Sequence, residues 1–203
     1  LLMIIPLWAQ SQLTEGFGDG DFTANPVWTG TTEKYIINAD KQLQLNATEA
    51  GTAWLSTPYT IAGNNMEWRF WIRLAFSPSG SNYSLVYLSS DQADLSGPLN
   101  GYFLRFGEAG SNDAIELMKQ QGTTTSLICR GTEAALATSF ALFVKVAENK
   151  TALGIFTDPG GTGIYTPEAG GTDNSFQPGG YFGVFGQYTV SNSTKMYYDE
   201  IYA

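Results

Sequence analysis

Histidine does not occur in this sequence, and cysteine occurs once, at Cys129. Without an imidazole there is no Ser-His-Asp or Cys-His relay and no ordinary zinc or copper site. A single thiol cannot close an internal disulfide, so packing must supply the stability. Cys129 ends the apolar run Leu127, Ile128, Cys129 and reads as a buried thiol behaving as a small hydrophobe. Basic residues are scarce as well: 10 Lys and Arg face 19 Asp and Glu, a net charge of −9 over 203 residues. Such a surface repels phosphate backbones and no basic cluster offsets it, which argues against a nucleic-acid partner. The acid excess suits solubility outside the cell.

The chain also lacks a sustained helical period and an apolar run long enough to span a bilayer. Its opening, LLMIIPLWAQ, is uncharged and apolar for nine residues and then turns polar, too short for a span. It reads as the tail of a secretory signal peptide whose charged beginning is absent, with cleavage after Ala9 or Ser11; a native edge strand is the competing reading. On the first reading residues 1–11 are a signal remnant and 12–203 form one exported domain.

What the sequence does have is apolar and aromatic residues, at 43% and 14%, in short alternating runs. The clearest runs from Met66 to Phe76: Met66, Trp68, Phe70, Ile72, Leu74 and Phe76 fall on one side, and Glu67, Arg69, Trp71, Arg73 and Ala75 on the other. That is the period of a half-buried strand. Alone it does not fold, because six buried side chains return about 1.5–3 kcal/mol each while eleven ordered residues cost about 1–2 each. It therefore needs neighbours on both edges and a second apolar layer. Further strands are expected at 35–38, 42–47, 53–57, 83–90, 102–106, 114–119, 124–130, 140–147, 152–157, 181–188 and 195–202, bounded by turns such as SPSGSN, GEAGSND, DPGGTG and FQPGG. This spacing predicts two packed antiparallel sheets. Single helical turns are expected at most at Ser90–Leu95 and Thr132–Ser139.

With that pattern in place, the blocks EGFGDGDFTANPVWTG, LQLNATEAGTAWLSTP, EWRFWIRLAFSPSGSNY, SDQADLSGPLNGYFLRFG and MYYDEIYA resemble the concanavalin-like β-sandwich module found near the N-terminus of large secreted proteins of Bacteroidota. The resemblance runs from Leu13 to Ala203. It implies an all-β fold, a two-sheet antiparallel jelly-roll of the concanavalin A-like lectin and glucanase type. It also implies export to the cell surface and downstream domains in the same polypeptide. It implies little about activity, since fold does not dictate function.

Endoglucanases of this fold set their carboxylates in an E-x-D-x-x-E string on one strand, so that acid and nucleophile share a face. No such string occurs here, and Asp199 and Glu200 are adjacent and so point to opposite faces. The expected function is therefore non-catalytic. Carbohydrate binding is favoured, because sugars stack on flat aromatics while Arg and carboxylates bond their hydroxyls. The outward parities of the alternating runs would place Trp71, Tyr87, Phe103, Arg69, Arg73, Arg105 and Glu116 together on one curved sheet as a glycan platform. The alternative is a structural spacer in which that face is covered and the arginines are paired to acids. No cofactor is required. A structural calcium is the one metal weighed, with Asp19, Asp21 and Asp199 as its ligands, since the first and last strands of such a fold lie side by side; Asx-rich turns explain Gly18 to Asp21 equally well. The loop Asp91–Asn100, with Asp91 and Asp94, is a weaker metal candidate.

Overall fold

The computed structural model describes residues 13–60, 65–176 and 179–203; the expected signal remnant lies outside them. The described strands are β1 (Thr14–Glu15), β2 (Thr29–Gly30), β3 (Tyr35–Ile37), β4 (Leu43–Leu45), β5 (Gly51–Tyr59), β6 (Asn65–Leu74), β7 (Tyr83–Ser90), β8 (Leu99–Phe106), β9 (Ile115–Gly122), β10 (Thr124–Arg130), β11 (Phe140–Asn149), β12 (Ala152–Asp158), β13 (Thr166–Thr172), β14 (Gly180–Tyr188) and β15 (Met196–Tyr202). They build an eight-stranded sheet in the order β13-β12-β11-β6-β15-β4-β3, with β1 beside β15, and a seven-stranded sheet in the order β10-β9-β8-β7-β14-β5-β2. Every pairing is antiparallel.

β6 is central, as its alternation predicts. It pairs along its whole length with β11, from Asn65 opposite Asn149 to Leu74 opposite Phe140, and on its other edge with β15. Met66, Trp68, Phe70, Ile72 and Leu74 are buried between the sheets, while Glu67, Arg69 and Trp71 are half-buried and Arg73 is exposed. Trp68 is fully enclosed, so its indole N–H needs a partner. It donates to Tyr59 Oη at 3.0 Å, and Tyr59 donates in turn to the Leu88 carbonyl, a relay that crosses from one sheet to the other. Edge-on aromatic pairs complete the layer: Phe70 with Phe106 at 6.3 Å and Trp28 with Phe182 at 6.2 Å. The first and last strands do lie side by side, closed by Leu13 N–H to Ala203 O at 2.9 Å and its reciprocal at 3.0 Å.

Three local expectations change. Ser90 ends β7 and residues 91–95 run through bends into a turn, because Ser90 Oγ donates to the Gln92 carbonyl at 2.7 Å and accepts from its amide at 3.1 Å, closing a turn where a helix would start. Thr132–Ser139 is turns. β13, in the sequence TPEAGGT, is an edge strand with no apolar alternation to announce it. One topological fact matters more than these: the chain leaves the eight-stranded sheet at Leu74 and enters the seven-stranded sheet at Tyr83.

Candidate functional site

That switch of sheets divides the expected platform. Arg69, Trp71 and Arg73 stand on the outer face of the eight-stranded sheet, whereas Tyr87, Phe103, Arg105 and Glu116 belong to the seven-stranded one. The outer faces of two packed sheets look in opposite directions, so these residues do not form one surface. Tyr87 and Phe103 are cross-strand partners with ring centroids 5.1 Å apart, yet each is only 2% exposed. The loop between β7 and β8 folds back over them and brings Leu95 into a small cluster with Leu99 and Met118. Ser56 Oγ ties the loop down through the Ala93 carbonyl at 2.7 Å. Gly183 lets it approach: a Cβ there would lie 2.5 Å from Leu55 O and 2.6 Å from Leu95 Cδ1.

Glu116 is not a free hydrogen-bonding group either. It is buried between Arg105, whose Nε donates at 2.6 Å, and Arg130, whose Nη1 donates at 2.5 Å; Glu108 closes the network from the far side of Arg130. What this face leaves open is a row across the strands, Trp54, Phe185, Leu85 and Arg105, in consecutive register on β5, β14, β7 and β8, with Tyr83 stacked on Phe185 at 6.4 Å.

A cavity lies where the covering loop begins and ends. It measures about 460 Å³ and is lined by Ser89, Asp91, Asn100, Ser175, Phe176, Gly179 and Gly180. Asp91 and Asn100 close the neck of the loop. The Asn100 amide and carboxamide donate to the two Asp91 oxygens at 2.8 Å each, and the Asp91 amide donates to the Asn100 carbonyl at 3.0 Å. Each carboxylate oxygen keeps acceptor capacity beyond those bonds. Ser89 is 2% exposed, and its hydroxyl has no hydrogen-bond partner among the described residues.

The opposite wall is the segment that follows β13, held by a polar strap. Tyr102 Oη donates to Asp173 Oδ1 at 2.7 Å and accepts from the Phe176 amide at 3.1 Å. Lys119 Nζ donates to Asp173 Oδ2 at 2.6 Å and Ser175 Oγ at 2.8 Å. Burial opposes ionisation of Asp173, but the bonds from Lys119, Tyr102 and Ser175 outweigh it and hold the carboxyl well below its usual range. The strap thereby fixes the Phe176 ring beside Tyr102, centroids 5.6 Å apart. The cavity joins a carboxylate, a carboxamide, two hydroxyls and a ring face, within the size range of small-ligand pockets. None of its residues was among the expected platform; they come from strand ends and the turns that join them, whose only sequence signals were the Asp91–Asn100 loop and the FQPGG run.

The calcium set does not assemble. Asp19 accepts the Asp21 amide at 3.0 Å, and Asp21 accepts the amide and hydroxyl of Thr23, both at 2.8 Å, so both carboxylates serve their own Asx turns. Asp199 accepts the Glu200 amide at 2.8 Å. Its carboxyl is pushed up to about 6 by burial, which outweighs that amide bond, and the negative charges of Glu200 and Glu15 add to the rise. Among the described residues no group of three or more His, Cys, Asp or Glu is arranged to hold a metal, so Asp19, Asp21 and Asp199 do not come together as a ligand set.

Neither a protein-family model nor the sequence of a curated protein matches the chain. Solved structures do. The exoplasmic/lumenal domain of VIP36 in its Ca2+/Man-bound form superposes with a TM-score of 0.64 at 13% identity, over 96% of this chain and 89% of that one. The carbohydrate recognition domain of Emp46p in its potassium-bound form gives 0.61 at 9%, over 95% and 94%. The carbohydrate binding module CBM66 from Bacillus subtilis gives 0.51 at 14%, over 94% and 91%. At such identities the likeness is one of fold, and it covers nearly the whole molecule: the chain is a two-sheet jelly-roll sandwich of the concanavalin A-like lectin type.

Proposed function

We propose that the chain is a secreted, non-catalytic carbohydrate-binding module of a larger surface protein, and that it seats a neutral sugar unit in the cleft between Asp91, Asn100 and Phe176. The observation that carries this reading is the Asp91–Asn100 pair, whose oxygens keep acceptor capacity in the cleft beside the Phe176 ring. Ser89 backs the same cleft with a hydroxyl that has no partner among the described residues, at a cost of about 1–3 kcal/mol, and rotation toward a ligand would give it one. Asp91 and Asn100 offer the paired acceptor and donor that a vicinal diol matches, and Phe176 offers a stacking face. The lectin domains and carbohydrate binding module that share the fold support the same reading. Asp91 is the sole carboxylate among the described residues lining the cleft, whereas glycoside hydrolysis generally uses two. Export and further domains in the same polypeptide follow from the resemblance of the sequence blocks.

The test is a glycan array on the domain followed by calorimetric titration of the best neutral sugar, repeated with Ser89→Ala and Phe176→Ala. Both variants should bind at least tenfold more weakly, and Ser89→Ala should melt no lower than the parent, since it removes an unpaired group. The spacer reading draws support from Tyr87 and Phe103, which the protein covers with its own loop. It prevails if no neutral sugar binds at millimolar concentration.

A further inference from the structure

The outer face of the eight-stranded sheet treats its cations differently from the rest of the molecule. Elsewhere Arg105, Arg130 and Lys119 are held by the carboxylates of Glu116, Glu108 and Asp173. On this face the cations are held by rings. The Arg69 guanidinium lies 4.2 Å from the centre of Tyr202 and that of Arg73 5.1 Å from Tyr197; Lys145 Nζ sits 4.9 Å from Phe156 and 5.1 Å from Tyr165.

The nearby acids are Glu67, Asp158, Asp199 and Glu200; the first three are occupied, and Glu200 is exposed where the register of β15 shifts. Glu67 lies 3.1 Å from Arg69 Nε, out of line for a hydrogen bond, and 3.8 Å from Lys145 Nζ. Asp158 turns into its own loop, accepting from Gly160 N at 3.1 Å and Gly163 N at 2.7 Å. Asp199, opposite Trp71 in register, accepts the Glu200 amide and lies toward Gly16 at the β1 edge. Arg73 makes no ion pair among the described residues and borders a shallow recess of about 370 Å³ with Ser139 and Phe140. A guanidinium stacked on a ring is pre-oriented, and its in-plane N–H groups remain available for bidentate bonds to a carboxylate.

Spacing gives the ligand. Arg69, Trp71 and Arg73 alternate along β6, so each step is about 6.6 Å and the two arginines leave the strand about 13 Å apart with an indole midway. One monosaccharide cannot reach both arginines and cover the ring, but consecutive units of an extended acidic chain can. We propose that this face is a second glycan-binding surface, selective for polysaccharides bearing carboxylates, with one pyranose ring on Trp71 and uronate groups on Arg69 and Arg73. It lies on the opposite side of the sandwich from the loop-covered sheet and does not depend on the cleft reading. Because the whole molecule carries −9, polyanions are repelled at long range and the contact must be local and strongly screened by salt.

The experiment is affinity electrophoresis of the whole chain through gels containing polygalacturonate or neutral dextran at 50 mM salt, with parallel size-exclusion chromatography. Polygalacturonate should retard the parent and dextran should not. Arg69→Gln/Arg73→Gln should weaken retardation at least tenfold, as should raising salt to 500 mM, while Ser89→Ala leaves it unchanged. Arg73→Gln alone, at an exposed and unpaired position, gives a partial loss with the melting temperature intact. Equal retardation by both polymers, none at low salt, or indifference to the arginine substitutions overturns the proposal. A dimer that dissociates on Trp71→Ala also overturns it, since the face is then a protein interface. Failure of neutral-sugar binding alone leaves it standing and removes only the cleft.

Discussion

Replacing Glu116 by leucine tests whether that carboxylate is a structural anchor or a ligand contact. Its side chain is 6% exposed and accepts from Arg105 at 2.6 Å and Arg130 at 2.5 Å. Removing it leaves the two guanidiniums with Glu108 alone to share, 3.9 Å from Arg105 and hydrogen-bonded to Arg130. Breaking a buried pair by deleting one partner costs about 3–5 kcal/mol when both groups are fully enclosed. Here the arginine side chains are 34% and 23% exposed, so water recovers part of the loss, and Glu108 still accepts from Arg130 at 3.0 Å. The expected cost is therefore about 2–3 kcal/mol. In urea, where small proteins lose about 1–3 kcal/mol per molar denaturant, the unfolding midpoint should fall by roughly 1 M. Adding Arg105→Met to Glu116→Leu should recover part of that loss, because the partner left unpaired is then gone. Neutral-sugar affinity should stay within twofold of the parent. A destabilisation below about 0.5 kcal/mol, or a folded variant that no longer binds sugar, refutes the structural assignment. The same network predicts acid sensitivity. Glu108 is held below its ordinary value of 4.5, chiefly by the hydrogen bond from Arg130. A depressed folded value means that its contribution is present above about 4.5 and drains away as pH falls through the folded value.

Asp199 has the opposite sign: its folded value of about 6 lies above the ordinary 3.8, so its contribution is greatest below about 3.8 and is lost as pH rises through 6. The full difference corresponds to about 3 kcal/mol, reduced by partial exposure to about 1 kcal/mol. Asp199→Asn should therefore raise the melting temperature at pH 7.5 and leave it unchanged at pH 3.5; equal effects at both refute the cause. Gly183→Ala should cost more than 2 kcal/mol and loosen the β7–β8 loop, read as new Tyr87 solvent exposure, because its methyl group meets Leu55 O and Leu95 Cδ1 inside contact distance. Tyr102→Phe removes the bonds to Asp173 and the Phe176 amide, and should cost about 1–2 kcal/mol and speed amide exchange at 173–176, measured by mass spectrometry.

Alternation made the fold legible. Period-two burial located β6 and most of its neighbours, and Tyr83–Ser90 and Thr124–Arg130 carry the bounds their patterns predict. Alternation says which side of its own sheet a residue occupies; it does not say which sheet. Trp71 and Tyr87 both point outward by parity, and only the connection between Leu74 and Tyr83, which crosses the sandwich, puts them on opposite faces. Nor does period two reveal what covers a face. Leu95 reads in sequence as one apolar residue in a polar loop, yet it seals Tyr87 and Phe103. The cleft was less legible still, because turn residues are chosen for backbone geometry and carry no period.

The unpaired Ser89 hydroxyl does not identify a site by itself, since Trp28 Nε1, Tyr35 Oη, Thr57 Oγ1 and Glu148 Oε2 are also buried without partners. What separates it from these is place. Among them Ser89 alone lines the cleft, where the Asp91 and Asn100 side chains already face the same space. Its strand is fixed on both edges, by β8 and by β14, so the backbone holds Ser89 at the wall of the cleft. The Tyr102–Asp173 strap holds the opposite wall in the same way. A polar group that is buried and unpaired between two braced walls lowers stability in the free protein and favours whatever brings it a hydrogen bond. Ser89→Leu, which removes the unpaired hydroxyl and fills the cleft, should therefore abolish sugar binding, whereas Thr57→Val, away from the cleft, should leave binding untouched, each read by calorimetric titration.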